Sequence, residues 1–257
     1  MPVKNQIFEQ PLNERIRMCL RIETLMSRVH YYMALKGDWS GYSALLGILE
    51  ITALLERGDF KQELIKELER HYSSLKSLAS HEGVDKSRLD LTLSKQKNAI
   101  DRIHRLDGKL GEHLKRIEFL LTIRQRTSLP GGNCDFDVPA LRFWLNQSHE
   151  YRLKDLHRWT APYVELDSVI ELVLSVIRDS AEPKQVTAKK GFYQEDLDPK
   201  QSNQLLRISI PASCDYYPEI SAGKHRYSVR FLSPLPTDKI PTQVKRDVPF
   251  LLWRCSL

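Results

Sequence analysis

Glycine is scarce, eleven residues in 257, and none stands in the phosphate-cradling patterns G-x-x-x-x-G-K-[ST] or G-x-G-x-x-G. That argues against a Gly-rich nucleotide site. G-x-S-x-G and H-E-x-x-H are missing as well, which removes the local signatures of an α/β-hydrolase and of a zinc protease. Cysteine is limited to Cys19, Cys134, Cys214 and Cys255, far apart and without a C-x-x-C pair. Such spacing fits a reduced cytosolic chain better than a disulfide scaffold or a zinc site. The eight histidines are scattered, with none at metal spacing to another His or Cys. No metal, cofactor or catalytic residue is therefore assigned, and these absences leave an enzyme unsupported without excluding one. The most apolar stretch, ALLGILEITALL at 44–55, is interrupted by Glu50 and is too short to span a bilayer. The opening MPVKNQIFEQPLNE has no apolar signal core. Together these absences point to a cytoplasmic protein without membrane insertion.

What the chain does have is a surplus of cations. Lys and Arg number 39 against 33 Asp and Glu, a net charge of +6, which favours an acidic partner. The surplus is uneven: residues 181–257 hold twelve basic and eight acidic side chains, a net +4, and the first 180 residues carry the other +2. Hydrophobic residues at 41% and charged residues at 28% describe globular material.

Hydrophobic periodicity changes once along the chain. Residues 12 to about 180 read at helical period: a helix capped by Asn13 and running from Glu14 to about Leu35, a second capped by Asp38 and running through Arg57, and a third over Phe60–Ser77. A fourth starts at Asp85 with Leu89, Leu91, Leu93, Ile100 and Ile103 as its apolar positions, and a fifth runs from Gly108 to Arg126. Asp137 caps a short helix with Pro139 in its first turn. Two more, over about 148–160 and 163–180, are split by Pro162. From about Ala181 the period becomes two. Leu206, Ile208 and Ile210 alternate with Leu205, Arg207 and Ser209, Tyr227, Val229 and Phe231 alternate with Arg226, Ser228 and Arg230, and Val248–Arg254 is a further apolar run. Helices followed by strands define an α+β protein, with a mainly α-helical N-terminal domain over 1–180 and a C-terminal antiparallel β domain over 181–257. Gln6–Gln10, closed by Pro11, is short enough to be a strand that returns to that C-terminal sheet.

Arginines mark the candidate surfaces. Arg17, Arg21 and Arg28 fall on one face of the first helix, opposite Ile16, Cys19, Leu20, Met26, Val29 and Met33, which form its core face. Arg226 and Arg230 share one face of a strand, with Lys224 and His225 in the preceding turn, and two such guanidiniums can take carboxylates bidentately. Arg124 and Arg126 end a helix just before a Pro-Gly-Gly turn that can bring Phe136 and Phe143 beside them. Each of these clusters also has an ordinary meaning as a solvated face or a cap of the helix dipole.

Several strings resemble the ZapD family of Z-ring-associated division proteins. FEQPLNERIRMCLRIE at 8–23 is similar to its opening, and RQRTSLPGGNCDFDVPALRFWL at 124–145 to its Pro-Gly-Gly segment. GFYQ at 191–194 and YPEISAGKHRYSVRF at 217–231 resemble its C-terminal elements. The strings occur in the same order over nearly the whole chain. The resemblance implies a homodimer with a helical domain and a β-sandwich-like domain that the N-terminal strand joins. It further implies a non-enzymatic division factor, recruited to mid-cell by FtsZ, that binds the FtsZ C-terminal tail, bundles FtsZ filaments and lowers their GTP turnover. The tail-binding residues implied are Arg17, Arg21, Arg57 of Glu-Arg-Gly at 56–58, Arg142, Lys224, Arg226 and Arg230. At 142 the family pattern has His where this chain has Arg. Glu118 stands where a basic residue is implied, with Lys115 and Arg116 about half a turn away. A basic nucleic-acid-binding or other cytoplasmic adaptor is the alternative. The chain has no RNP string, zinc-finger spacing or basic heptad array, so no nucleic-acid partner is expected.

Overall fold

The computed structural model describes residues 5–56, 58–81, 83–106, 108–234 and 240–257. They divide into two compact units: residues 1–18 with 174–257, and residues 19–173. The architecture is α+β, with helices followed by antiparallel sheets, as the change of period predicts.

In the first unit two antiparallel sheets enclose one apolar core. β1 (Asn5–Pro11), β4 (Asn203–Pro211), β8 (Val248–Ser256) and β2 (Lys184–Ala188) form one sheet in that spatial order. β3 (Phe192–Asp196), β6 (Arg226–Ser233) and β5 (Tyr217–Ala222) form the other, with β7 (Thr242–Gln243) pairing to β6. The N-terminal strand does return to the C-terminal sheet: it runs along β4 from Asn5 opposite Pro211 to Pro11 opposite Leu205. Ile208 and Ile210 of β4, Phe250 and Leu252 of β8, and Tyr227, Val229 and Phe231 of β6 fill the space between the sheets. Phe231 and Phe250 meet at a centroid distance of 5.1 Å, so the two sheets interdigitate. β4 is central and buried on both faces, which is why Leu205 and Ser209 are inside along with the predicted Leu206, Ile208 and Ile210.

After Pro11 the chain enters α1 (Glu14–Met33), where Asn13 Oδ1 accepts from the Ile16 amide at 2.9 Å, the expected N-cap. Of the predicted core positions on α1, Ile16, Cys19, Met26, Val29 and Met33 are buried and Leu20 is half-buried.

The second unit is helical. α2 (Asp38–Leu55) is apolar on nearly every side and forms its centre, with Leu45, Ile48 and Ile51 fully buried. A Cβ on Gly47 would come within 2.6 Å of Val29 Cγ2, so only glycine lets α1 and α2 approach this closely. The N-cap of α2 is Gly37 and not the expected Asp38, which is the first residue of the helix. α3 (Phe60–Ser77) and α4 (Lys86–Arg105) follow, capped by Asp59 and Asp85. Leu91, an expected core position of α4, is exposed, while the polar Gln96 is buried.

Three expectations fail in this unit. The predicted fifth helix is two pieces, a 3-10 turn over Glu112–Arg116 and then α5 (Glu118–Thr127). The break falls at Ile117, whose extended backbone (φ −96°, ψ 101°) ends the turn and precedes α5, while Gly111 before the turn is held at φ +81°, where any side chain would strike the Tyr163 hydroxyl. α6 (Pro139–Leu145) is capped by Val138 and not by Asp137, whose carboxylate faces Arg126 Nη1 at 3.6 Å. Pro162 does not split α7, which is one helix from His149 to Arg178. Trp159, Tyr163 and Leu166 lie buried on either side of it, and that packing outweighs one lost backbone bond.

Candidate partner-binding surface

β6 carries the clearest candidate. Its alternation sends Tyr227, Val229 and Phe231 into the core and leaves Arg226 and Arg230 exposed on the opposite face. Four residues of extended chain separate them by about 13 Å. Arg226 is opposite Asp196 of β3, and Arg230 is opposite Phe192 of β3 and Glu219 of β5. Among the described residues neither guanidinium closes an ion pair, so both present their donors outward. Lys224 and His225 are exposed in the turn before β6. That turn is fixed by the Gly223 amide donating to the Arg226 carbonyl at 2.9 Å and the Leu197 amide donating to the His225 carbonyl at 2.8 Å.

Beneath this face sits a polar cluster with no sequence signature. Glu195 accepts from the Tyr227 hydroxyl at 2.6 Å, the Tyr193 hydroxyl at 2.8 Å and Arg254 Nη1 at 2.9 Å. Burial alone would raise the Glu195 pKa, but the two hydroxyls and the Arg254 charge prevail and lower it. Burial and the same carboxylate push the Tyr227 pKa up. The cluster braces β3 against β6 and so holds the arginine strand in place. Only the cross-strand register pairs Glu195 with Tyr227, and no local motif reports that register.

The other predicted residues are distributed over both units. Arg17 is in the β unit and donates through Nε to Glu14 at 3.0 Å, one turn back on α1. Arg21, in the helical unit, is exposed. Arg28, on the same predicted face, faces Glu50 of α2 at 2.6 Å and so has an internal counter-charge. Arg57 lies outside the described residues. Arg142 is exposed on α6 with Asp135 at 3.7 Å, beside a groove of about 680 Å³.

Arg124 is structural. It grips Glu56 with both terminal nitrogens at 2.6 and 2.5 Å, and Lys115 stands 3.4 Å from the same carboxylate. The hydrogen bonds from Arg124 lower the Glu56 pKa against the opposing effect of burial. Glu118 opens the first turn of α5, where an acidic side chain complements the helix dipole. Its carboxylate thus has a local reason to be there in place of the implied basic residue.

Among the described residues no three His, Cys, Asp or Glu side chains are grouped to hold a metal ion, and no helix is long and apolar enough to cross a membrane. What the described residues offer is exposed guanidinium groups on regular secondary structure, Arg226 and Arg230 on β6 and Arg142 on α6.

Comparison with known proteins gives the class. A family profile described as "ZapD: Cell division protein" matches residues 20–230. The chain is 37% identical over 256 residues to the cell division protein ZapD of Methylococcus capsulatus, covering 99% of this chain and 100% of that one. It is 36% identical over 251 residues to ZapD of Nitrosomonas eutropha, covering 97% and 99%, and 33% identical over 252 residues to ZapD of Coxiella burnetii, covering 97% of each. The chain belongs to the ZapD family of cell division proteins.

Proposed function

We propose that this protein binds the acidic C-terminal tail of FtsZ and, as a homodimer with two such surfaces, crosslinks FtsZ filaments into bundles that stabilise the division ring. The observation that carries this function is the pair Arg226 and Arg230, exposed on one face of β6 without an ion-pair partner among the described residues. A fold leaves two guanidiniums on one strand face at little cost, but it does so most usefully where carboxylates of a partner will meet them. Lys224, Arg17 and Arg21 add positive charge that draws an acidic tail by long-range attraction. Arg57 and Arg142 join them by family resemblance alone, Arg142 with Asp135 already beside it. A polymer presents many tails, so contacts that are weak singly combine through effective concentration. Lower GTP turnover then follows from altered filament packing, without hydrolysis by this chain. The protein acts in the cytoplasm and reaches mid-cell through FtsZ.

Co-sedimentation with FtsZ, with and without its C-terminal tail, tests this function. Bundles should pellet with intact FtsZ and not with the tail-less form. Arg226→Glu combined with Arg230→Glu should abolish pelleting while the thermal midpoint stays at the wild-type value. Equal pelleting of tail-less FtsZ, or full bundling by the double reversal, would exclude this surface.

A further inference from the structure

One turn of the β unit breaks a local rule beside the arginine strand. β2 and β3 are joined by the two-residue turn Lys190-Gly191, closed by the Phe192 amide donating to the Lys189 carbonyl at 3.0 Å. Both turn residues have positive φ, +47° at Lys190 and +76° at Gly191, the pattern of a type I′ hairpin. That pattern favours Asn-Gly or Asp-Gly, because in the left-handed region a longer side chain gains nothing while its Cβ crowds the following carbonyl oxygen. Gly191 obeys the rule, and a Cβ there would overlap the Val244 carbonyl oxygen. Lys190 does not: among the described residues it is the one non-glycine at positive φ. Its surroundings enforce the conformation. The Lys190 amide donates to Asp247 Oδ1 at 2.9 Å, and its carbonyl accepts from Gln243 Nε2 at 2.9 Å. Neither bond uses the lysine side chain.

We propose that Lys190 is a third cation of the tail-binding face, held where asparagine would suit the turn better because its ammonium meets a carboxylate of the tail. This role presupposes the proposed binding of the tail to β6. Three observations select Lys190. The first is position. Phe192 is directly opposite Arg230, and the Gly191 carbonyl accepts from the Phe231 amide at 2.8 Å, so the turn is fastened to β6 at the Arg230 end of its arginine pair. Lys190 is two Cα steps from Phe192, at most about 7.6 Å. The second is freedom. Lys189 and Lys190 are both exposed, but Lys189 Nζ lies 3.1 Å from Asp247 Oδ2, whereas the Lys190 ammonium closes no ion pair among the described residues. Of the two lysines, only Lys190 has its charge open to a partner. The third is chemistry. Arg226, Arg230 and Lys190 follow one another along β6 and past its neighbouring turn, a row that an extended acidic peptide can track. The arginines impose a planar, bidentate geometry on carboxylates, and a flexible ammonium at the end of the row accepts a carboxylate in many orientations. A local rule is thus broken where the broken position serves binding.

Lys190→Asn in the full chain removes the cation and gives the turn the residue it favours. It should raise the thermal midpoint by about 1–3 °C. At the same time it should weaken binding of an FtsZ tail peptide about 2- to 5-fold at low salt, read by fluorescence anisotropy. Lys190→Arg keeps the charge and should bind within about two-fold of the wild type. Lys97→Asn removes the same charge from an exposed position on α4, in the helical unit, and should bind as the wild type does. A lysine that serves only the turn would give a lower midpoint in Lys190→Asn, and that result would overturn the proposal. Equal weakening by Lys97→Asn would also overturn it, since net charge alone would then explain the loss. Wild-type affinity in Lys190→Asn, with binding still weakened by Arg226→Gln combined with Arg230→Gln, would remove Lys190 from the site and leave the tail on β6. A wild type that binds no tail peptide would remove both.

Discussion

Glu9 and Arg207 are 198 residues apart in sequence and directly opposite one another across β1 and β4, with Arg207 Nε donating to Glu9 Oε1 at 2.8 Å. The same carboxylate accepts two bonds from Arg178, at 2.9 Å to Oε1 and 2.7 Å to Oε2. Arg207 also lies over the ring of Trp253, 5.6 Å from its centroid. One acidic side chain near the N-terminus thus ties β1 to the sheet and to the end of α7. β1 is an edge strand, with backbone pairing on one side only, so this ionic anchor weighs more than its bond count suggests.

Glu9→Ala should therefore destabilise the β unit by about 2–3 kcal/mol, because it leaves two largely enclosed guanidiniums without their carboxylate. Chemical denaturation gives the loss, and hydrogen exchange should show the β1 amides opening first. Wild-type exchange in β1 would mean that backbone pairing alone holds the strand.

The β1 pairing was legible in the sequence because Gln6–Gln10 is too short for a helix and is closed by Pro11, which leaves a strand as its local structure. The outward face of β6 was legible for the same kind of reason, since strand alternation is local. Contacts set by tertiary packing were not. Pro162 reads as a helix break by local rules, yet Trp159, Tyr163 and Leu166 bury α7 firmly enough to continue it. The Glu195 cluster depends on a cross-strand register, and the counter-charges of Arg28 and Arg142 depend on which elements pack together. The aromatic lining of the groove beside Arg142 was only half visible: the Pro-Gly-Gly turn suggested Phe136, but nothing linked it to Trp39 nearly a hundred residues earlier.

Thiol accessibility offers an independent check on the packing. Cys19 and Cys255 are buried, Cys134 is exposed and Cys214 is half-buried. Burial pushes the Cys255 pKa up to about 11, so almost no thiolate is present there at neutral pH. A chromogenic disulfide reagent should titrate Cys134 rapidly and Cys214 more slowly in the native protein, and all four thiols only after denaturation. Fast native reaction at Cys255 would contradict the packing of β8 against β4.

A pH dependence follows from Glu67, which is almost wholly buried on α3. Arg70 Nη2 stands 2.5 Å and His71 Nε2 3.0 Å from its Oε1. Burial is the largest influence and would raise the Glu67 pKa, but hydrogen bonds from His71 and Arg70 together outweigh it, and the pKa falls well below its ordinary 4.5. A carboxylate with a depressed folded-state pKa stabilises the fold fully above its unfolded value. That contribution is lost as pH falls through the folded value. Glu67→Gln should thus cost on the order of 2–3 kcal/mol at pH 7, and its difference from wild type should shrink steadily below pH 4.5. Urea titrations across that range measure this directly, and a difference that is independent of pH would show that Glu67 acts through shape and not through charge.

Salt separates the charged part of tail binding from the rest. Arg226 and Arg230 are exposed, so their contacts with tail carboxylates are screened over a Debye length of about 10 Å at 0.1 M salt. Each such contact is worth about 0.5–1 kcal/mol. Arg226→Gln with Arg230→Gln should therefore weaken binding of an FtsZ tail peptide about 5- to 30-fold at low salt. The variant should also show a much flatter dependence on ionic strength, so the two binding curves converge as salt is raised. The register adds a geometric condition. Two arginines about 13 Å apart on one strand face match carboxylates four residues apart in an extended peptide. A tail peptide with its acidic residues respaced at unchanged composition should bind the wild type more weakly and the double variant equally. Fluorescence anisotropy on the four combinations measures the coupling between spacing and the arginine pair. A spacing effect of the same size in both proteins would mean that the strand attracts the tail by net charge alone, with no register between them.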